Sequence, residues 1–389
     1  MRRFFDKLVT SNLMIFRRGM ARCAPTTTPF RYTTLFFSII FLLAVSQLTF
    51  AQVGVDSHPL QVFIQRNIDN AGTDRLQFVD SLTGESTPLE INGARYTLVQ
   101  RSVMYFDAAV NEVMLATPDG EITPHPFIQP NEQTRRVDWL ISPDSTKIAW
   151  TLTDSDATNM LTTTTMIADL DGENSREILV DGPRDGIRAL PIAFSVDNGL
   201  LYMDYQPDAI ADVTPFRQYA GVFSIDLESK QVVMLPGEPG CFCGAGIGAG
   251  MFLRLKLASD LDGFDVVVTD LAGQVGKTIS ALRLVNYTQA GDVLISPDGK
   301  RAVYGLAQVR DFGGRNESVQ TVFVLVNLTD VTQTALTNPL NQFLQPVEWT
   351  ETNTAVIFTS PQVDGTWKIN LNDGRLNKIA GATYLGTLK

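Results

Sequence analysis

"LISPDGKRAVYGL" spans Leu294–Leu306, and "LISPDSTKIAWTL", at Leu140–Leu152, is a near copy of it. Each reads as a short strand ending at serine, a Pro-Asp turn, and a second strand of alternating apolar residues. Weaker versions are "AFSVDNGLLYMDY" (Ala193–Tyr205) and "EWTETNTAVIFTS" (Glu348–Ser360). A motif that returns in one chain is a repeat, and repeats decide the fold before any single element does.

A second motif follows the first in phase: a strand, a turn of the form Asp-Leu-x-Gly, and another strand. Its copies run over Leu76–Ile91, Glu112–Phe127, Thr165–Leu179, Gly221–Leu235, Asp265–Ile279, Val322–Leu336 and Thr366–Ala380. Asp80, Thr117, Asp169, Asp226, Asp270, Asn327 and Asn370 mark the seven turns. The mean step is about 48 residues, near the period of propeller blades. Two hairpins per period make four strands. A lone four-stranded sheet cannot bury both faces, so the units must stack around an axis. The expected fold class is all-β: a single β-propeller of seven four-stranded blades over residues 52–389.

"ISPDGKRAVY" followed by "VFVLVNL" (Val322–Leu328) resembles the TolB-type, WD-repeat-like propeller repeat. The same repeat is found in the propellers of the dipeptidyl peptidase and prolyl oligopeptidase families. The resemblance covers residues 55–385 and implies a propeller scaffold. In these families the Ser-Pro-Asp-Gly turn is structural, so the resemblance implies fold more strongly than activity. No α/β segment follows the seventh unit, and no Gly-x-Ser-x-Gly elbow occurs. The expectation is therefore a propeller without the peptidases' hydrolase domain.

Residues 1–51 read differently. Seven basic residues precede or flank the apolar run "LFFSIIFLLAVSQLTFA" (Leu35–Ala51). This is the pattern of a signal peptide cleaved before Gln52, with Met20 as an alternative start, or of a retained membrane anchor. The expected location is outside the cytoplasm: periplasmic, cell-surface or secreted. Membrane contact is expected only if residues 35–51 are retained. The whole chain carries a formal net charge of −11; without the leader, 24 basic residues face 41 acidic ones. Such a surface repels nucleic acid, which is not expected as a partner.

Candidate chemistry is sparse. "CFCGAGIG" (Cys241–Gly248) has glycines before a strand, the wrong order for a phosphate loop. Register places it on the innermost strand of the fifth blade, where small residues suit converging strands. Cys241 and Cys243 are either bridged or packed as small side chains, since two thiolates are too few for a closed zinc site. No metal or cofactor is expected, although Asp260, Asp262 and Asp265 offer oxygens that calcium could use. The competing reading of those acids is a solvated hairpin turn. Trp139, Trp150, Trp349 and Trp367 read as packing between blades, and His125 as a loop residue.

Three long segments between second and third strands stand out as binding loops: Thr153–Thr163, Gln206–Gly221 and Gln308–Gln320. Equivalent positions place them on one face, and loops on rigid scaffolds carry function. Arg217, Tyr219, Arg310, Phe312 and Arg315 supply the arginine and aromatic chemistry of interfaces. The leading functional expectation is a non-enzymatic scaffold that binds a protein or glycan. The alternative is a propeller enzyme of lyase, lactonase or glycosidase type, with carboxylates at the channel mouth.

Overall fold

A computed structural model describes residues 58–388, apart from 70–71, 209–215, 236–242, 261, 312–314 and 316–317. The Leu35–Ala51 run, Cys241 and Phe312 lie outside the described residues, as does the side chain of Cys243. Every regular element among the described residues is a strand, and the strands form seven antiparallel sheets.

Blade 1 combines β1 (Leu60–Gln65), β2 (Asp74–Asp80) and β3 (Ser86–Ile91) with the last strand of the chain. Blade 2 is β4–β7 (Ala94–Val99, Ser102–Asp107, Glu112–Ala116, Ile122–Pro124). Blade 3 is β8–β11 (Thr134–Ile141, Lys147–Ser155, Met160–Asp169, Arg176–Asp185). Blade 4 holds β12 (Ile187–Phe194), β13 (Leu200–Pro207), β15 (Val222–Asp226) and β16 (Val232–Met234). Blade 5 is β17–β20 (Cys243–Gly248, Met251–Leu257, Phe264–Asp270, Val275–Ile279), with β14 (Gln218–Tyr219) added to its inner edge. Blade 6 is β21–β24 (Gln289–Ile295, Arg301–Arg310, Ser318–Asn327, Thr332–Ala335). Blade 7 is β25–β28 (Gln345–Trp349, Ala355–Thr359, Thr366–Asn370, Leu376–Ala380). The final strand, β29 (Thr383–Leu388), pairs antiparallel with β1 and closes the ring as the innermost strand of blade 1.

The repeat motifs make the turns. Ser142, Ser195 and Ser296 each donate to the aspartate two residues on, at 2.6 Å in all three blades. Each serine oxygen also accepts the N–H that opens the next strand, from Lys147, Leu200 and Arg301 at 2.8–3.0 Å. Thr350 does the same for Ala355 at 3.1 Å. At the second turn, Asp80, Asp226, Asp270, Asn327 and Asn370 accept the N–H two residues ahead. These are Asx turns, which the side chain stabilises locally without help from the rest of the fold. The Ser-Pro-Asp-Gly element is thus wholly occupied by structure.

The core lies between blades. Leu253 and Val266 of blade 5 pack with Tyr304 and Val324 of blade 6. Similar clusters join blades 1 and 2, 2 and 3, 3 and 4, and 6 and 7. Burial on both faces removes apolar area from water, which is why a single blade needs its neighbours. The four tryptophans belong to these clusters and are all buried.

Cys243–Gly248 takes the first-strand position of blade 5 that the register of Cys241–Gly248 predicts, but the two-residue β14 pairs on its channel side and is the innermost strand there; residues 241–242 lie outside the described residues. The reason for its glycines is steric. A Cβ on Gly246 would lie 2.5 Å from the Val293 carbonyl oxygen, and one on Gly244 would lie 2.6 Å from that of Ala290. Both carbonyls belong to the innermost strand of blade 6.

Candidate functional site

Strands one and three of a blade run in the same direction. The first and third turns therefore share one face of the ring. The turn between strands two and three shares the other face with the starts of the innermost strands. All three long segments lie on that second face, here the loop face. Two are more regular than their composition suggests. Strands β9 and β10 continue until only residues 156–159 remain as a turn, and β22 and β23 leave only 311–317. Thr153, Thr163 and Thr321 are buried in these extensions, so polar threonine here is strand material and not loop.

Of the third segment, the described residues 216–221 turn inward. Gln218 and Tyr219 pair with Gly244 and Cys243, adding a strand on the channel side of blade 5. Asp204, fully buried, accepts the N–H groups of Ala220 and Gly221. Burial holds its carboxyl above the usual range, while those hydrogen bonds pull it down. The Arg217 N–H donates to Asp292 of blade 6 at 2.9 Å. Phe216 inserts into blade 6 against Ala307 and Phe343. Gly291 and Gly305 make room for it, since a Cβ at either would lie 2.4 or 2.6 Å from Phe216. The segment is latched across two neighbouring blades.

Across the mouth, on the same face, three blades bring four arginines together. Arg95 opens β4, Arg135 and Arg136 open β8, and Arg188 opens β12. Arg95 and Arg188 hold the two oxygens of Asp138, the latter at 2.5 Å. Arg135 and Arg136 hold the two oxygens of Asp208 at 2.9 and 2.7 Å, and Arg188 Nε lies 3.4 Å from it. Neighbouring residues on a regular strand point to opposite faces. Pairing of β8 with β9 slips between Thr134 and Arg136, and this bulge lets both arginines reach one carboxylate. Pairing of β4 also slips, at Ala94/Thr97, and Arg95 adopts a left-handed φ of 62°. Such backbone costs about 1–2 kcal/mol in a residue with a Cβ. Burial lowers the pKa of Arg188, with Asp138 opposing it and Arg136 adding repulsion.

The structure distributes the sequence-derived candidates over this face. Arg217 is exposed, whereas Tyr219 is buried, and its phenol is pushed up by burial. Tyr219 is a packing residue of the latch and offers little surface to a ligand. Arg310 and Arg315 are exposed at the blade 6 hairpin, and Arg310 lines a shallow groove with Phe343 and Gln362. Asp260 pairs with Arg283 at 2.5 Å, and Asp265 accepts the Ala281 N–H at 2.8 Å. Among the described residues these acids do not gather into a group that could hold an ion. His125 does lie in a connection, but it is buried. Its ring accepts the Ile128 N–H, and burial lowers its pKa to about 4.

The arginine cluster escaped the sequence reading because its members are scattered over three repeats. The available signal was register: successive units place arginine at the second or third residue of the innermost strand.

No family model matches the chain, and no curated protein matches its sequence. Solved structures do. A prolyl endopeptidase aligns with a TM-score of 0.57 at 13% identity, over 83% of this chain and 50% of that one. The chain thus spans half the length of that enzyme. An oligogalacturonate lyase in complex with manganese aligns at 0.50 and 12% identity, over 79% and 84% of the two chains. TolB from Acinetobacter baumannii aligns at 0.41 and 13%, over 83% and 79%. The likenesses concern the fold alone, and the prolyl endopeptidase match agrees with the peptidase-propeller resemblance read from the repeats.

Proposed function

We propose that this chain is an exported, non-enzymatic propeller that binds a macromolecular ligand, a protein or a glycan, on its loop face. The observation that carries the reading is the convergence of built features on one side. Two extended hairpins, an insertion latched inside the ring and a four-arginine cluster all stand there, while Asx turns occupy the other face. Export rests on the basic flank and apolar run of residues 1–51. The mouth carboxylates Asp138 and Asp208 are each engaged by two or more arginines. That arrangement favours a binding surface over a pair of acids free for proton transfer.

The test is a peptide and glycan array probed with three proteins: the parent, the loop-face double variant Arg310→Ala/Arg315→Ala, and the opposite-face variant Lys300→Ala. Binding weakened only by the loop-face change is the expected result. Equal binding by all three, or turnover of an array member, would overturn the reading.

A further inference from the structure

We propose that the arginine cluster formed by Arg95, Arg135, Arg136 and Arg188 is a binding site for carboxylates, and that its occupant is an acidic peptide segment. The proposal rests on the loop-face reading above and assigns its ligand chemistry.

The first argument is charge. Among the described residues, four guanidinium groups surround two carboxylates, an excess of two positive charges on a chain of net charge −11. Neutralising Asp138 and Asp208 needs one arginine each, so the others exceed the structural requirement. Like charges held together cost free energy unless a counter-charge joins them.

The second argument is accessibility. The side chains of Arg95, Arg135 and Arg136 are 41%, 50% and 43% exposed, while Asp138 and Asp208 are 3% and 9% exposed. The buried carboxylates orient guanidinium groups whose side chains stay exposed. Arg188 is 9% exposed, and its Nε has no hydrogen-bond partner. Guanidinium forks match carboxylates in geometry, giving paired charge-assisted hydrogen bonds.

The third argument is backbone. A bulge at Arg135–Arg136 and a left-handed residue at Arg95 appear at the two strand starts that aim these side chains. Bulges and strained residues of this kind gather where a side chain must be re-aimed for binding.

The choice of peptide over sugar follows from the aromatics. All four tryptophans are buried, and Arg95 itself covers Trp139 at 5.4 Å. No indole face is left open at the mouth for a sugar ring. The acidic chain as a whole also disfavours long polyanions, whereas a short acidic segment meets the local positive field.

The probe is a fluorescein-labelled hexaglutamate peptide, followed by polarisation at low salt. The variant is Arg95→Gln/Arg135→Gln, which leaves Arg188 on Asp138 and Arg136 on Asp208, with circular dichroism and thermal melting to check that it folds. Arg135→Gln alone serves as a milder second variant. Saturable binding by the parent, weakened about tenfold or more by the double variant and reduced by added salt, is expected. Competition by inorganic phosphate only at much higher concentration than the peptide supports the carboxylate assignment. Absence of binding, or binding undiminished in both variants, would overturn the proposal. Tighter binding of oligogalacturonate than of the peptide would overturn the choice of occupant. If the array still shows binding dependent on Arg310 and Arg315 while hexaglutamate fails, the ligand chemistry falls and the loop-face reading stands.

Discussion

Gly246→Ala tests the placement of the glycine-rich strand against the blade beside it. The added Cβ would meet the Val293 carbonyl oxygen at 2.5 Å and the Val293 Cβ at 2.9 Å. Ordinary contacts begin near 3.4 Å. Blades 5 and 6 would therefore have to separate locally by up to nearly one ångström. The obstructing atoms are backbone and a Cβ, so no rotamer change relieves them. Overpacking of this kind costs about 1–3 kcal/mol, and the larger value suits a clash with backbone. An unfolding entropy of ~2.1 cal/mol/K per residue over about 330 residues gives ~0.7 kcal/mol/K. A loss of ~3 kcal/mol then lowers the melting temperature by about 4 °C. Gly246→Val adds two methyl groups and should lower it further. Gly276→Ala is the control: it lies on the outermost strand of the same blade, and its Cβ would meet nothing closer than 3.7 Å. Calorimetry of the three variants decides. Gly246→Ala melting with the parent, or Gly276→Ala falling as far, would refute the crowding account.

Phe216→Ala should unlatch residues 206–221 from blade 6. The side-chain loss is worth about 3–5 kcal/mol at most, and local release should absorb part of it. Faster limited proteolysis within that segment, with a modest fall in melting temperature, is the expected result. Arg188→Ala removes one partner from buried Asp138 and should cost about 3 kcal/mol by chemical denaturation, because an ion left short of its partner is expensive to bury. The pH dependence of stability has two opposing parts. The turn aspartates Asp80, Asp144, Asp156, Asp169, Asp197, Asp226 and Asp298 all have lowered pKa values, mostly through hydrogen bonds from their own turns, with Lys147 the main cause at Asp169 and Asn198 adding to Ser142 at Asp144. Their stabilisation is present above the ordinary value of 3.8 and is lost as pH falls below it. Burial raises Asp204 and Asp292, so their cost is felt at neutral pH and shrinks as pH falls towards 3.8. His125 joins the first part: burial lowers its pKa from 6.5 to about 4, so stability is lost as pH falls through that window. Melting temperature should therefore decline gradually from about pH 6.5 to 4 and collapse below about 4. A melting temperature that stays flat from about pH 7 to 4, or a His125→Gln variant that keeps the decline unchanged, would contradict this balance.

Fold and site were legible to different degrees, for a physical reason. The blade turns are local: Ser142 bonds to Asp144, and Asp226 to the N–H of Glu228, all within a few residues. Local chemistry leaves a short motif in the sequence, and seven copies of it set the blade count and the strand order. The glycines of β17 were legible through the same register, because they answer to a neighbouring blade one repeat away. The inward turn of 216–221 was not. Its course depends on Phe216 meeting Gly291 and Gly305, some 75 and 89 positions later in the chain. Nothing near Phe216 announces that a cavity has been kept for it. Tyr219 misled for the same reason, since an aromatic in an irregular segment reads as surface until its partner strand is known.

The arginine cluster shows how a repeat fold can hide a site from a linear reading and still leave a trace of it. Arg95 and Asp138 are 43 residues apart, and Asp138 and Arg188 are 50 apart, each close to one blade period. Any two groups one period apart at the same register are neighbours around the ring. A charge that recurs at the start of successive innermost strands must therefore meet its copies at the channel mouth. Recurrence of one sign would be repulsive, so the fold interleaves aspartates to hold the set together. Among the described residues it supplies two of them for four arginines. The remainder is a positive field at the loop-face mouth of the channel, and it is this imbalance, more than any single residue, that a negatively charged partner would recognise.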